Sequence, residues 1–562
     1  MDVPAPMQVP CRPPEQVMRL KRLGSMHQCR LSFMRILTRR MAREGWRFAR
    51  PVFDFDARGV GRAVYSAHGP GRTYSLVAFG HDLPPEMRSD RVIATAWDAT
   101  FALFDGVPTA ADLDRLSRNV PLQEAGRVSE RELSVSRANR SVRLWDHVVA
   151  ALADGRQPEA AELGAVGYLM RTTAVYGSGK LGAADYEALS DRPEFSAPFQ
   201  AEMLSVYLTR TFVRDLVNHL ARARGGARAA ELAPDLARGL GIGNSTGLGL
   251  GPFIINHPRL FNNWIATREQ AIARVRALPR ADDAAQALFR TVLAGAGETV
   301  ANWTTEHPVQ AAKLAALRAD LATLDAHLSG GVLGGPQPWD RLLTWSEGAL
   351  SEEGQELLAS LILEPHGALV DDLEAGMADT APDAFRIDGA MPVGRLRALI
   401  EDRFGWALGL DWSAPANCAR AWYVSAEKLE PRLGERFEED LEPYEQPLAP
   451  ARDAAAAHAA LTGWDAEESV AAFLLRHPEH RHIVRRMQIG AQAPYAEVQD
   501  NTIAADMFPV DLLRVKLAFF GATRFDPRSD RWLRIAMYQG APYPEELAPD
   551  NADLWVYPGA VR

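Results

Sequence analysis

Residues 239–252 read Gly-Leu-Gly-Ile-Gly-Asn-Ser-Thr-Gly-Leu-Gly-Leu-Gly-Pro and contain six of the 43 glycines of the chain. Glycine has no Cβ, so this backbone can adopt positive φ values and approach a ligand closely. A segment with helical periodicity follows at 256–277, and the free N–H groups at a helix start favour an anion. The run therefore predicts an anion-binding loop between helices, in which Asn244, Ser245 and Thr246 donate hydrogen bonds.

The same run is compatible with other interpretations. Its glycine spacing does not match the dinucleotide fingerprint Gly-x-Gly-x-x-Gly, and no strand is predicted before it. Residues 243–247 fit the pattern Gly-x-Ser-x-Gly, which would make Ser245 a nucleophile with His257 as the nearest candidate base. The alternative without chemistry is a flexible loop whose glycines let two helices pack closely.

A second polar cluster lies at residues 168–182, which end in Tyr-Gly-Ser-Gly-Lys-Leu-Gly. A phosphate-binding loop needs glycine at its first position and serine or threonine after the lysine, and this stretch has Ala174 and Leu181 there. The stretch nevertheless offers groups that hold a carboxylate or phosphate. These candidates are Arg171, Thr172, Tyr176 and Lys180. The alternative is a helix end with glycine caps and a solvated lysine.

Composition limits the class of protein. The chain has 562 residues with 47% hydrophobic residues and a net charge of −10, which argues against a general nucleic-acid binder. The sequence contains no apolar run long enough to span a bilayer, and its three cysteines match no zinc or disulfide framework. We therefore expect a cytoplasmic protein. Five lysines against 57 arginines indicate a GC-rich, bacterial coding sequence, and a homodimer is the base-rate expectation.

Hydrophobic periodicity predicts a mainly α, α+β fold: a large helical body, a small N-terminal antiparallel sheet and a mixed α/β C-terminal region. The basic amphipathic helix near the N-terminus is expected to pack on the acidic body, the alternative being an arm for membranes or nucleic acid. The predicted divisions are a leader with that helix at 1–45, the sheet at 46–90, a helical domain at 91–329 and a second domain at 339–562.

Three further features could carry chemistry. His477, His480 and His482 lie within six residues, but their spacing and the neighbouring arginines argue against a metal site, and no metal is predicted. Glu497 stands in a polar stretch and could act as a general base. Lys516 lies in an apolar stretch that could lower its pKa, although a snorkelling lysine is the alternative.

Together these patterns predict a bacterial enzyme that acts on a small anionic metabolite, with lyase or isomerase chemistry because no cofactor motif is recognised. Two alternatives stay open: a nucleotide- or flavin-dependent oxidoreductase, and a non-catalytic helical scaffold or binding protein. The expected substrate-binding residues are Arg171, Thr172, Lys180, Asn244, Ser245 and Thr246, and the expected proton-transfer residues are His257, Tyr176 and Glu497.

Overall fold

The structure of the protein is a computed structural model. It describes residues 9–88, 96–122, 129–172, 192–195, 197–246, 250, 253–254, 257–305, 308–378, 387–414, 450–498, 513–526 and 533–557. Within the described ranges, every helix is too short or too polar to cross a lipid bilayer.

Nine strands in the described residues form one mixed sheet in the order β1-β2-β3-β4-β5-β6-β7-β9-β8. Strands β1 to β6 follow one another as antiparallel neighbours. Strand β7 pairs with β6 in the parallel direction, and β9 pairs with β7 in the antiparallel direction. The strands are β1 Arg47–Phe55, β2 Gly61–His68, β3 Thr73–Gly80, β4 Ala99–Asp105, β5 Glu132–Arg140, β6 Tyr168–Thr172, β7 Gly241–Thr246, β8 Arg524–Asp526 and β9 Leu533–Met537.

Helices occupy most of the remaining described residues. They are α1 Pro14–Val17, α2 Phe33–Arg43, α3 Ala110–Asn119, α4 Trp145–Ala153, α5 Ala160–Val166, α6 Gln200–Gly225, α7 Pro234–Arg238, α8 Pro258–Arg276, α9 Asp283–Ala301, α10 Pro308–Ser329, α11 Pro338–Ala349, α12 Glu352–Leu361, α13 Gly367–Val370, α14 Val393–Leu408, α15 Pro450–Leu461, α16 Val470–Arg476 and α17 Arg481–Gln492. Single 3₁₀ turns include Glu364–His366, Pro478–His480 and Leu554–Val556, and Lys516–Phe520 is a π-helix.

The long helix α6 connects the two parallel strands β6 and β7 and lies against one face of the sheet. Parallel neighbours need such a crossover, because the chain must return to the same end of the sheet. Side chains alternate between the two faces, as the strand period requires. Leu76 therefore packs in the main core with α6, while Val77 packs in a smaller cluster with α3 on the opposite face.

The predicted fold class is wrong about the sheet, which in the described residues is one large mixed sheet and not a small N-terminal antiparallel one. Strands β4 to β7 lie inside the region predicted to be helical, and β8 and β9 join the same sheet instead of forming a separate C-terminal unit. The glycine run, predicted as a loop, supplies β7 in the middle of this sheet. Local periodicity could not show this, because the partners of β7 lie about 70 residues before it and about 290 residues after it.

Two hydrophobic clusters organise the rest of the described chain. The main cluster contains side chains from both sides of the predicted boundary at 330–338, including Leu328 and Trp339. Helices α14 to α17 build a second cluster around Phe404 and Phe473. The division of the chain into domains stays a prediction.

The N-terminal segment is anchored by buried ion pairs. Arg12, in the leader predicted within 1–45, is 8% exposed and donates to Glu269 and Glu356. Helix α2 buries Arg35 completely instead of presenting it to solvent. Because a buried charge must be paired, these contacts fix the N-terminal segment from residue 9 onward onto the body.

Candidate functional site

Strands β6 and β7 bring three of the predicted site residues together. Arg171 pairs with Gly243 in the parallel register, and the Asn244 side-chain amide donates 2.8 Å to the carbonyl oxygen of Thr172. Arg171, Thr172 and Asn244 are all buried. Asn244 Oδ1 has no hydrogen-bond partner among the described residues.

Glycine is required in β7 for packing. An added Cβ at Gly243 would stand 2.6 Å from Arg171 Cγ and from Tyr168 Cγ, and one at Gly241 would stand 2.4 Å from the carbonyl oxygen of Met537. Both distances are far below van der Waals contact. At these two positions glycine is needed because neighbouring side chains and backbone occupy the space that a Cβ would take. The role of these two glycines is therefore packing.

The remaining predicted residues are not gathered around this pair of strands by the described contacts. His257 precedes α8, where its Nδ1 donates 2.9 Å to the carbonyl oxygen of Phe253 and its ring stacks on the Phe253 ring. Glu497 accepts two hydrogen bonds from Arg486, and burial raises the pKa of its carboxyl group although Arg486 opposes that shift. Tyr176 and Lys180 lie outside the described residues, as do the side chains of Ser245 and Thr246.

The structure contains a cavity of about 640 Å³ at a different place, which we call the His27 cavity. It lies where the N-terminal segment, the end of α9 and the C-terminal segment meet, and Gly239 of the glycine run contributes to its wall. Among the described residues that line it, none carries an aspartate, glutamate, lysine or arginine side chain. The polar and aromatic lining residues are His27, Gln28, Thr299, Asn302, Trp303, Thr304, Thr523, Gln539 and Trp555.

His27 is the titratable group of this lining. The side chain is 5% exposed, and burial lowers its pKa to about 4, so the imidazole is neutral at pH 7. Its Nδ1 lies 3.4 Å from the carbonyl oxygen of Gln28, which can only accept a hydrogen bond. This contact places the proton of the neutral ring on Nδ1 and leaves Nε2 as the basic nitrogen.

A buried chain of polar groups leads from His27 away from the cavity. The His27 ring stacks on Tyr557 with 5.0 Å between ring centroids, and the Tyr557 hydroxyl donates 3.0 Å to Glu364. Glu364 in turn accepts two hydrogen bonds from Arg35, at 2.7 and 2.6 Å. Asp553 lies 2.8 Å from the same guanidinium group. The wall behind the neutral cavity is therefore held by ionised pairs.

Two lining residues carry buried polar atoms without a described partner: Gln28 Oε1 and Trp555 Nε1. An unpaired buried polar atom costs about 1–3 kcal/mol, so such atoms are uncommon in folded proteins. One is an acceptor and the other is a donor. Each atom has less than 1 Å² of accessible surface, so both lie behind the cavity surface and do not face its open space.

Sequence reasoning missed the His27 cavity. Its lining comes from seven separated parts of the chain, between residue 26 and residue 556, and its histidine stands in the unremarkable stretch Met26-His27-Gln28. Only tertiary packing brings these residues together, so no local pattern could have indicated them. Comparison of the chain with protein families, with curated proteins and with solved structures found no match.

Proposed function

We propose that the protein binds an uncharged small organic molecule in the His27 cavity. The observation that carries this proposal is the neutral lining: the described wall has amides, hydroxyls and two indoles but no ionised side chain. A volume of about 640 Å³ lies within the range of small-molecule sites. An ionised ligand would lose its hydration there without gaining a charged partner, and that loss is costly.

The lining also narrows the ligand class. Trp303 and Trp555 offer flat apolar faces, which suit a planar ring or the apolar face of a sugar. Asn302 and Gln539 offer amide groups that donate and accept hydrogen bonds. The ligand we propose combines one planar or apolar face with a hydrogen-bonding edge, as a nucleoside, a neutral sugar or an aromatic amide does.

If the site is catalytic, we assign proton transfer to His27. The Gln28 carbonyl holds the ring proton on Nδ1, so Nε2 is available to accept a proton. Tyr557 and Glu364 lie behind the ring and would orient it. The low pKa of about 4 keeps His27 unprotonated throughout the physiological range.

An enzyme acting on a small anionic metabolite stays the second candidate. The observation that favours it is that three of the predicted anion-binding residues, Arg171, Thr172 and Asn244, lie on the adjacent strands β6 and β7. Its site would lie at β6 and β7 and not in the His27 cavity. The two candidates therefore predict opposite ligand charges and different sensitive residues.

Matched pairs of compounds that differ in charge separate the two candidates. Thermal unfolding would be followed with nicotinamide against nicotinate, adenosine against adenosine 5′-monophosphate, and glucose against glucose 6-phosphate. We expect stabilisation by a neutral member, about 2.7 kcal/mol at a concentration 100 times its Kd. Trp303→Leu and Gln539→Leu should remove it, whereas Trp464→Leu, in the second hydrophobic cluster, should not.

Stabilisation by the anionic members alone, removed by Arg171→Gln and unaffected by Trp303→Leu, would reject the neutral cavity in favour of the second candidate. Equal unfolding temperatures with every compound would reject the three ligand classes named above.

A further inference from the structure

The turn between α16 and α17 places three metal-binding side chains on one small surface. Helix α16 ends at Arg476, the 3₁₀ turn Pro478–His480 follows, and α17 begins at Arg481. His477 Nδ1 lies 3.3 Å from Glu479 Oε1, and His480 Nε2 lies 3.8 Å from the same oxygen. The three donor atoms all lie within 4.8 Å of one another.

We propose that His477, Glu479 and His480 form a binding site for a divalent transition-metal ion, with zinc as the ion that this donor set fits best. Two imidazole nitrogens and one carboxylate oxygen are a recurrent zinc ligand set. In a tetrahedral site with metal–ligand bonds near 2.0–2.1 Å, the ligand atoms are about 3.4 Å apart. The two observed separations from Glu479, 3.3 and 3.8 Å, bracket that value, and the two imidazole nitrogens lie within 4.8 Å of each other.

Aromatic packing holds both imidazole rings in place. The His480 ring stacks on Phe473 with 5.8 Å between centroids and 3° between planes. The His477 ring contacts Phe473 and meets the edge of Trp464. Phe473 is fully buried, so the two ligands stand on a fixed part of the second hydrophobic cluster. Preorganised ligands reduce the entropy that metal binding must overcome.

Two of the four neighbouring arginines are engaged with other groups. The Arg476 guanidinium stacks over the Trp464 ring at 5.0 Å, and Arg486 is paired with Glu497. The Glu479 side chain is 60% exposed and lies within reach of solvent ions.

The structure also changes which residue acts as the third ligand. On spacing alone, His482 is the third histidine of the stretch, and its position relative to His477 argues against a metal. In the described structure the third donor is Glu479 from the 3₁₀ turn, and His482 is not part of the cluster. Three protein ligands leave a coordination position open to water, as in catalytic zinc sites.

The test uses the untagged full-length protein, freed of metal with a chelator and titrated with ZnCl₂ against a chromophoric zinc indicator. We expect one bound zinc per chain, and visible absorption typical of tetrahedral Co²⁺ when CoCl₂ is used instead. His477→Gln and His480→Gln should each weaken zinc binding by more than about 100-fold, beyond the 10–100-fold typical of indirect contacts. His482→Gln is the matched control and should bind as the unaltered protein does.

Glu479→Gln distinguishes the loss of a metal ligand from misfolding, because the exposed Glu479 side chain contributes little to packing. We expect this variant to keep its unfolding temperature and to bind zinc at least tenfold more weakly. The proposal fails if the unaltered protein does not compete with the indicator. It also fails if His482→Gln weakens binding as much as His480→Gln, which would indicate diffuse binding by surface histidines.

Discussion

Arg35 and Glu364 are separated by 329 residues in the sequence and joined by two hydrogen bonds of 2.7 and 2.6 Å at a place closed to solvent. Neither side chain is exposed. Their pairing attaches helix α2 to the 3₁₀ turn that follows α12 and supports Tyr557 behind the His27 cavity. The ion pair is therefore part of the framework of the proposed site.

Replacement of one partner should be strongly destabilising. Arg35→Met leaves Glu364 buried without its guanidinium, and an uncompensated buried charge costs about 3–5 kcal/mol. The double variant Arg35→Met/Glu364→Leu should recover part of this loss. Urea denaturation measures both. The exposed pair Arg274–Asp372 is the control, since Arg274→Met should cost at most about 1 kcal/mol. Equal losses for Arg35→Met and Arg274→Met would contradict this interpretation.

Asp553 should fix the C-terminal segment. It lies 2.6, 2.8 and 3.1 Å from Arg30, Arg35 and Arg39. Burial disfavours its ionisation, yet these arginines hold the pKa of its carboxyl well below the usual range. We expect Asp553→Asn to destabilise the protein by roughly 3 kcal/mol and to speed proteolysis near the C-terminus. Asp550→Asn, at an exposed position, should leave the cleavage rate unchanged, and equal rates for both variants would count against this role.

His27 should make the protein less stable in mild acid. Its pKa is about 4 in the folded protein and about 6.5 in an unfolded chain, so the unfolded state binds more protons between these values. The contribution of His27 to the free energy of unfolding is therefore complete above pH 6.5. It falls by up to about 3 kcal/mol as the pH drops toward 4. His366 has the same shift, also from burial, and adds to the loss.

The measurement is the urea midpoint at pH 7 and pH 5. His27→Gln should reduce the difference between the two pH values, and His366, His81 and His480, whose pKa values burial also lowers, account for the part that remains. His458→Gln, whose histidine contacts Glu401 at the surface, is the control and should keep the full difference. An unchanged difference in His27→Gln would show that His27 does not titrate in this way.

The glycines of β7 should tolerate no Cβ. Gly243→Ala would bring Cβ to 2.6 Å from Arg171 and Tyr168, so we expect a loss of about 1–3 kcal/mol from overpacking. Gly297→Ala is the control: its Cβ would meet no atom within 4 Å, and alanine in helix α9 should be neutral or slightly stabilising. Thermal unfolding compares them. An unchanged unfolding temperature in Gly243→Ala would favour the flexible ligand loop that the sequence predicted.

Local patterns predicted the elements that form within short stretches. The pattern at 46–90 predicted an antiparallel sheet, and the structure has β1, β2 and β3 there; the helical pattern of 91–329 covers the long helix α6. In these stretches the regular period of the strand or helix decides which side chains share the buried face, so the local pattern is enough to predict the element. Arg171, Thr172 and Asn244, which were predicted to bind an anion, lie on two adjacent strands, and their role stays a prediction.

The sequence by itself determined the amphipathic helices and the first three strands, because the hydrophobic pattern of a short segment decides which face it buries. Tertiary structure alone decided that residues 241–246 form a strand, since glycine has little strand propensity. The close neighbours Arg171, Tyr168 and Met537 leave no room for a Cβ at two positions of this strand, which is why glycine stands there. Tertiary structure also decided the His27 cavity, because its wall joins segments separated by hundreds of residues. Their association depends on buried ion pairs whose partners no local pattern reveals.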